Sequence, residues 1–104
     1  MKKNHSDTPA ITDLVEKIRP LIEYTQQLAR EAEKLYTLEV AAIIRNQESN
    51  PGLIEHCLDG ILDFCFDEKM LLLFKKLCRH YYTIDPVATS EYVYFYKDMW
   101  DNGD

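Results

Sequence analysis

Apolar residues recur at steps of three and four along residues 11–44 of the chain. This spacing places them on one side of an α-helix, which completes a turn about every 3.6 residues. Pro20 interrupts the pattern without changing its phase, and an interior proline kinks a helix. We therefore predict one long, kinked first helix that begins at Pro9 with Thr8 as its N-cap. Its apolar stripe consists of Ile11, Leu14, Val15, Ile18, Leu21, Ile22, Leu28, Ala29, Ala32, Leu35, Tyr36, Val40, Ile43 and Ile44.

Three shorter helices are predicted after the polar loop "NQESNPG", residues 46–52. The second helix covers residues 51 to about 65, and the third covers residues 68 to about 83 with Asp67 as its cap. Asp85 followed by Pro86 indicates the start of a fourth helix. The segment "YVYFY", residues 92–96, alternates like a strand but also fits helical spacing. Because a cap precedes it, we favour a helix that ends near Gly103.

The predicted fold is all-α: a small helical bundle of about four helices with a long kinked first helix. Short connections favour antiparallel neighbours. Residues 1–8 are polar and are predicted to be a disordered tail, which leaves residues 9–104 as a single helical domain. A chain of 104 residues has the length of one domain.

Charge and hydropathy exclude several classes of partner. The net charge of -6 argues against nucleic acid or an anionic membrane surface as the main partner, because both attract basic surfaces. The chain has no run of about 18 apolar residues, so we expect no membrane span. No apolar segment follows the two N-terminal lysines, so we expect no signal peptide and a cytoplasmic location.

The three cysteines raise the question of a metal or redox site, because they lie with two histidines in residues 56–80. On the predicted helices His56 turns away from Cys57, and Cys78 and His80 lie on nearly opposite sides, so neither pair has zinc-ligand spacing. Buried free cysteine packs as a small hydrophobic residue. We therefore expect the thiols to belong to the core, with no metal and no cofactor. A metal or thiol function is the weaker alternative.

Other patterns associated with chemistry give little support for an enzyme. The chain has no Gly-rich phosphate loop, no Gly-x-Ser-x-Gly and no His-Glu-x-x-His motif, so we expect no catalytic residues. Glu55, Asp59 and Asp63 follow one another at steps of four beside His56. We interpret this row as a solvated acidic face of the second helix rather than a cation site.

The last helix carries a wide arc of large residues, and Tyr94 points away from it. Such aromatic residues are common in protein interfaces. We expect Phe95 and Met99 to face the core, while some of the other aromatics remain available to a partner. A ligand pocket between these aromatics is an alternative. The arc consists of Tyr92, Val93, Phe95, Tyr96, Met99 and Trp100.

Two functional hypotheses follow. The first is a non-enzymatic protein–protein interaction module that self-associates. Its candidate interface consists of Leu72, Tyr94, Tyr96 and Trp100. The second is a regulatory or accessory protein that binds an anionic partner, nucleic acid or acidic protein, through the basic face of the third helix. That face consists of Lys69, Lys75, Lys76 and Arg79.

Overall fold

The computed structural model describes residues 2–101, with side chains from Ala10 onward. The described residues form four helices and no strand, which confirms the all-α prediction with a long first helix. The helices are α1 (Lys2–Arg45), α2 (Pro51–Leu62), α3 (Glu68–Tyr82) and α4 (Pro86–Trp100). Helix α1 begins at Lys2 and not at the predicted Pro9, so Thr8 lies within the helix and is not its N-cap. The division into a disordered tail, residues 1–8, and a helical domain stays a prediction.

Local hydrogen bonds explain where the helices begin. Asn50, Asp67 and Asp85 are the N-caps of α2, α3 and α4, and their side-chain oxygens accept hydrogen bonds of 2.8–3.3 Å from N–H groups of the first turn. These groups have no partner inside the helix, so a capping oxygen stabilises the start. The predicted caps Asp67 and Asp85 are confirmed.

Two helix ends differ from the predictions. Helix α2 ends at Leu62 rather than near residue 65, because residues 63–67 form a turn. This turn ends at Asp67, the N-cap of α3. Helix α4 ends at Trp100, with Asp101 as its C-cap. It therefore ends before the predicted Gly103, which lies outside the described residues.

Helix α1 runs through Pro20 without ending, as predicted, and stops at Arg45. Gln47 then adopts a left-handed conformation with φ of 52°. The N–H of Gln47 donates to the carbonyl of Ile44, and the N–H of Glu48 donates to the carbonyl of Ile43. This Schellman arrangement satisfies carbonyls of the last turn and turns the chain toward α2.

The chain divides into two compact units, Met1–Arg30 and Glu31–Asp104. The first unit is the N-terminal part of α1. In the second unit, residues 31–45 of α1 pack with α2, α3 and α4 around one core, which forms the bundle. The predicted single domain over residues 9–104 stays a prediction. The core consists of Ala32, Val40, Ile43, Ile54, Cys57, Leu58, Ile61, Leu62, Cys65, Met70, Leu73, Phe74, Leu77, Cys78, Tyr81 and Tyr92.

The orientation of α4 corrects one prediction. Phe95 and Met99 were expected to face the core, but each is about half exposed. Thr89 and Tyr92 are buried instead, and Tyr96 packs against the core. The rotation of α4 is set by two tertiary contacts: the Tyr92 hydroxyl donates to Asp59 on α2, and the Tyr96 ring lies 5.8 Å from that of Phe74.

Gly60 of α2 leaves space for the side chain of Tyr36 on α1. A Cβ atom at this position would overlap the phenol group of Tyr36. Its backbone φ is not positive, so the glycine is needed for space and not for conformational freedom. Glycine is otherwise unfavourable inside a helix by about 1 kcal/mol relative to alanine.

We therefore expect Gly60→Ala to destabilise the protein by about 1–3 kcal/mol, because the Tyr36 ring must move. In a Tyr36→Ala background the same change should stabilise by about 0.5–1 kcal/mol, because only helix propensity is left. Urea unfolding followed by the fluorescence of Trp100 measures both values. Equal changes in the free energy of unfolding in the two backgrounds would contradict the contact between Gly60 and Tyr36.

Candidate functional site

The N-terminal part of α1 exposes a continuous apolar face, which we call the α1 stripe. Its side chains are between 37% and 65% exposed: Ile11, Leu14, Val15, Ile18, Leu21, Ile22 and Leu28. Ion pairs of 3.4 Å join Lys17 to Asp13 and Arg19 to Glu16 on the polar side of the helix. Large exposed apolar patches that are bordered by polar residues mark interaction sites.

The four residues predicted as a partner interface differ in how far they are exposed to solvent. Leu72 on α3 is 62% exposed, and Tyr94 on the outer side of α4 is 69% exposed. Tyr96 is half-buried against the core. The indole N–H of Trp100 donates to the carbonyl of Leu62 at 2.9 Å. Two of the four side chains therefore have partners within the chain, and the other two point to solvent.

The predicted basic residues Lys69, Lys75, Lys76 and Arg79 are all exposed on α3. Only Lys75 and Arg79 border a groove between α3 and α4, and Lys97 of α4 joins them there. We call this site the α3–α4 groove, and its volume is about 320 Å³. Lys97 is not among the residues predicted from the sequence, although its position four residues after Val93 places both on one side of α4.

The cysteine side chains Cys57, Cys65 and Cys78 are free and buried in the core, as expected. Burial raises the pKa of each thiol to about 12, and the neighbouring Cys78 contributes at Cys65. The thiolate is the reactive form of cysteine, so these thiols are poor nucleophiles at neutral pH. Within the described part of the chain, no three His, Cys, Asp or Glu side chains are placed to hold a metal ion.

Two carboxylates of the acidic row on α2 (Glu55, Asp59 and Asp63) accept hydrogen bonds from neighbouring helices. The Tyr81 hydroxyl of α3 donates to Glu55 at 2.5 Å, and the Tyr92 hydroxyl of α4 donates to Asp59 at 2.7 Å. Burial, followed by these hydrogen bonds to carboxylates, raises the pKa of both phenols. Asp63 is exposed, as predicted for the whole row. The row therefore has a structural role that spacing along α2 does not reveal.

The two histidines near the cysteines also lie apart. His56 is exposed on α2. The Nε2–H group of His80 donates to the backbone carbonyl of Glu48 at 2.8 Å, which ties the end of α3 to the loop before α2. His80 therefore acts as a structural donor rather than as a partner of a thiol.

No helix within residues 2–101 has both the length and the hydrophobicity that crossing a membrane requires. No family model, curated protein or solved structure matches this chain. The exposed surfaces and their chemistry are therefore the basis for a functional proposal.

We expect Tyr81→Phe to lower the free energy of unfolding by about 1–3 kcal/mol, because a charge-assisted hydrogen bond to Glu55 is lost. The matched control is Tyr82→Phe, since Tyr82 is the next residue of α3 and is 60% exposed. That control should change stability by less than about 0.5 kcal/mol. Urea unfolding of both variants provides the comparison, and equal effects would contradict a stabilising role for the bond.

Stability should fall as the pH rises from about 9 to 12. The thiols have an ordinary pKa of 9.0 but a pKa of about 12 when folded, so the unfolded chain loses its protons first. The stabilising contribution of the thiols is fully present below pH 9.0. Above that pH, each thiol lowers the free energy of unfolding by up to about 1.4 kcal/mol per pH unit. Urea midpoints under reducing conditions at a series of pH values measure this slope. A midpoint that stays constant between about pH 9 and 11 would contradict it.

Proposed function

We propose that this chain is a non-enzymatic interaction module that self-associates through the α1 stripe. The observation that carries the proposal is the exposure of this stripe, which places large apolar side chains in water along one side of residues 11–28. Burial of apolar surface is worth about 25 cal/mol per Å² and is the main favourable term in protein association. An uncovered face of this length therefore favours a partner.

The spacing of the stripe supports a helix as that partner. Ile11 and Ile18 occupy the a positions of a heptad repeat, and Leu14, Leu21 and Leu28 occupy the d positions. Isoleucine at a with leucine at d is typical of two-stranded coiled coils. A pattern that repeats every seven residues keeps the stripe facing its partner when two helices supercoil.

The remaining positions of the repeat are compatible with a coiled coil. Thr25 occupies an a position, and its hydroxyl donates to the carbonyl of Leu21 at 2.9 Å. It would therefore bring no unpaired donor into an interface. Pro20 lies at an outer c position, away from the stripe. Val15 and Ile22 occupy e positions and widen the apolar face on one side.

A second copy of this chain is the partner that fits these features. In a symmetric dimer the same face contacts itself, so the face must be complementary to its own residues. The α1 stripe meets this requirement, because its isoleucines and leucines supply both the knobs and the holes of coiled-coil packing. The interface predicted from the sequence has less apolar surface to offer, since Tyr96 and Trp100 already contact the bundle.

We expect the parent chain to form a dimer and Leu21→Glu to convert it to a monomer, because the change places two desolvated carboxylates in the interface. Multi-angle light scattering from about 5 to 200 µM gives the mass of each species. The fluorescence of Trp100 during urea unfolding shows whether the bundle is still folded.

Two further variants locate the interface. Gln27→Glu adds the same charge on the opposite side of α1 and retains an acceptor for Arg30, so it should leave the dimer intact. Leu72→Glu tests the interface predicted from the sequence and should also leave the dimer intact. A parent chain that is monomeric throughout would overturn self-association. Loss of the dimer only in Leu72→Glu would move the interface to α3.

A further inference from the structure

The α3–α4 groove has an apolar floor. Leu71, Phe74 and Cys78 of α3 face Val93 and Tyr96 of α4 across it. Its volume of about 320 Å³ is at the small end of ligand sites, which measure about 300–1,000 Å³. Cys78 is neutral there because burial raises the pKa of its thiol to about 12, so its side chain adds apolar surface and no charge. The floor therefore suits an apolar group of modest size.

The rim of the groove is positively charged. Lys75 and Arg79 lie one turn apart on α3, and Lys97 borders the groove from α4. None of the three forms an ion pair with any residue that the structure describes. The chain as a whole carries a net charge of -6, so this cluster departs from the overall charge. Unpaired cations around an apolar cleft complement a ligand with an apolar body and an anionic end.

We propose that the α3–α4 groove binds a small amphipathic carboxylate, such as a medium-chain fatty acid. The tail lies against Phe74, Val93 and Tyr96, and the carboxylate lies at the rim. The planar guanidinium of Arg79 suits a carboxylate, because it offers two parallel N–H donors. Lys75 and Lys97 supply the remaining positive charge from the two sides of the groove.

Other anionic partners fit this site less well. A nucleic acid needs a broad basic surface that follows its backbone, whereas three cations surround one short groove here. A stable protein interface takes about 20–30 residues from each partner, whereas eight residues line this groove. The site retains Lys75 and Arg79 of the basic face predicted from the sequence and adds Lys97, while Lys69 and Lys76 lie outside it.

Titration of the full chain with octanoate, followed by amide chemical shifts in two-dimensional NMR spectra, tests the proposal. We expect saturable shifts around Val93, Tyr96 and Lys97, with a dissociation constant below about 1 mM. 1-Octanol has the tail without the charge and should bind at least about tenfold more weakly. Acetate has the charge without the tail and should cause no saturable shifts.

Paired variants identify the groups that bind. Lys75→Gln with Arg79→Gln should weaken octanoate binding at least about tenfold. The control, Lys69→Gln with Lys76→Gln, makes the same change in net charge on the same helix and should have no effect. An equal loss in both pairs would show that only overall charge matters and would overturn the site.

A second pair of variants tests the apolar floor. Val93→Glu places a carboxylate in the groove and should abolish binding, whereas Val87→Glu makes the same change on α4 outside the groove. Both valines are exposed, at 40% and 70%, so neither change removes a core side chain. Absence of saturable shifts in the parent chain, or shifts confined to residues 11–28, would overturn the proposal.

Discussion

The bundle depends on the burial of α2, a helix too short to be stable alone. Isolated helices of about 12 residues are marginal in water, so tertiary packing must supply their stability. Ile54, Cys57, Leu58 and Ile61 of α2 have no exposed surface. Residues 31–45 of α1, together with α3 and α4, enclose this helix, and Gly60 lets Tyr36 approach its backbone closely. The positions of the other helices in the bundle follow from this requirement.

Polar contacts then fix how the outer helices are rotated around α2. Tyr81 of α3 and Tyr92 of α4 donate to carboxylates one turn apart on α2, and Trp100 donates to its last carbonyl. A buried hydroxyl or indole N–H must find a partner, so each of these bonds allows few orientations. Among the described side chains, no buried nitrogen or oxygen lacks a hydrogen-bond partner. The same rotation opens the α3–α4 groove and leaves its three cations at the rim.

The sequence predicts the parts of this structure that depend on neighbouring residues. The caps Asp67 and Asp85 and the helical spacing are local, so four helices could be predicted. The rotation of α4 could not be, because the bond from Tyr92 to Asp59 joins residues 33 positions apart. Lys97 was missed for the same reason, since only tertiary packing brings it to the groove beside Arg79. Helical periodicity identifies an apolar stripe but does not show whether the same chain covers it.

Along α1, the same chain covers apolar residues in the second unit but not in the first, and this difference bears on function. In the second unit the stripe residues Val40 and Ile43 are buried in the core. In the first unit Leu14 and Leu21 of the α1 stripe are exposed. A helix with an uncovered apolar face gains little from tertiary packing, which is why we propose that a second helix covers it. Under the proposed pairing of two α1 stripes, stability of the bundle is a property of one chain, whereas the added stabilisation of the first unit depends on protein concentration.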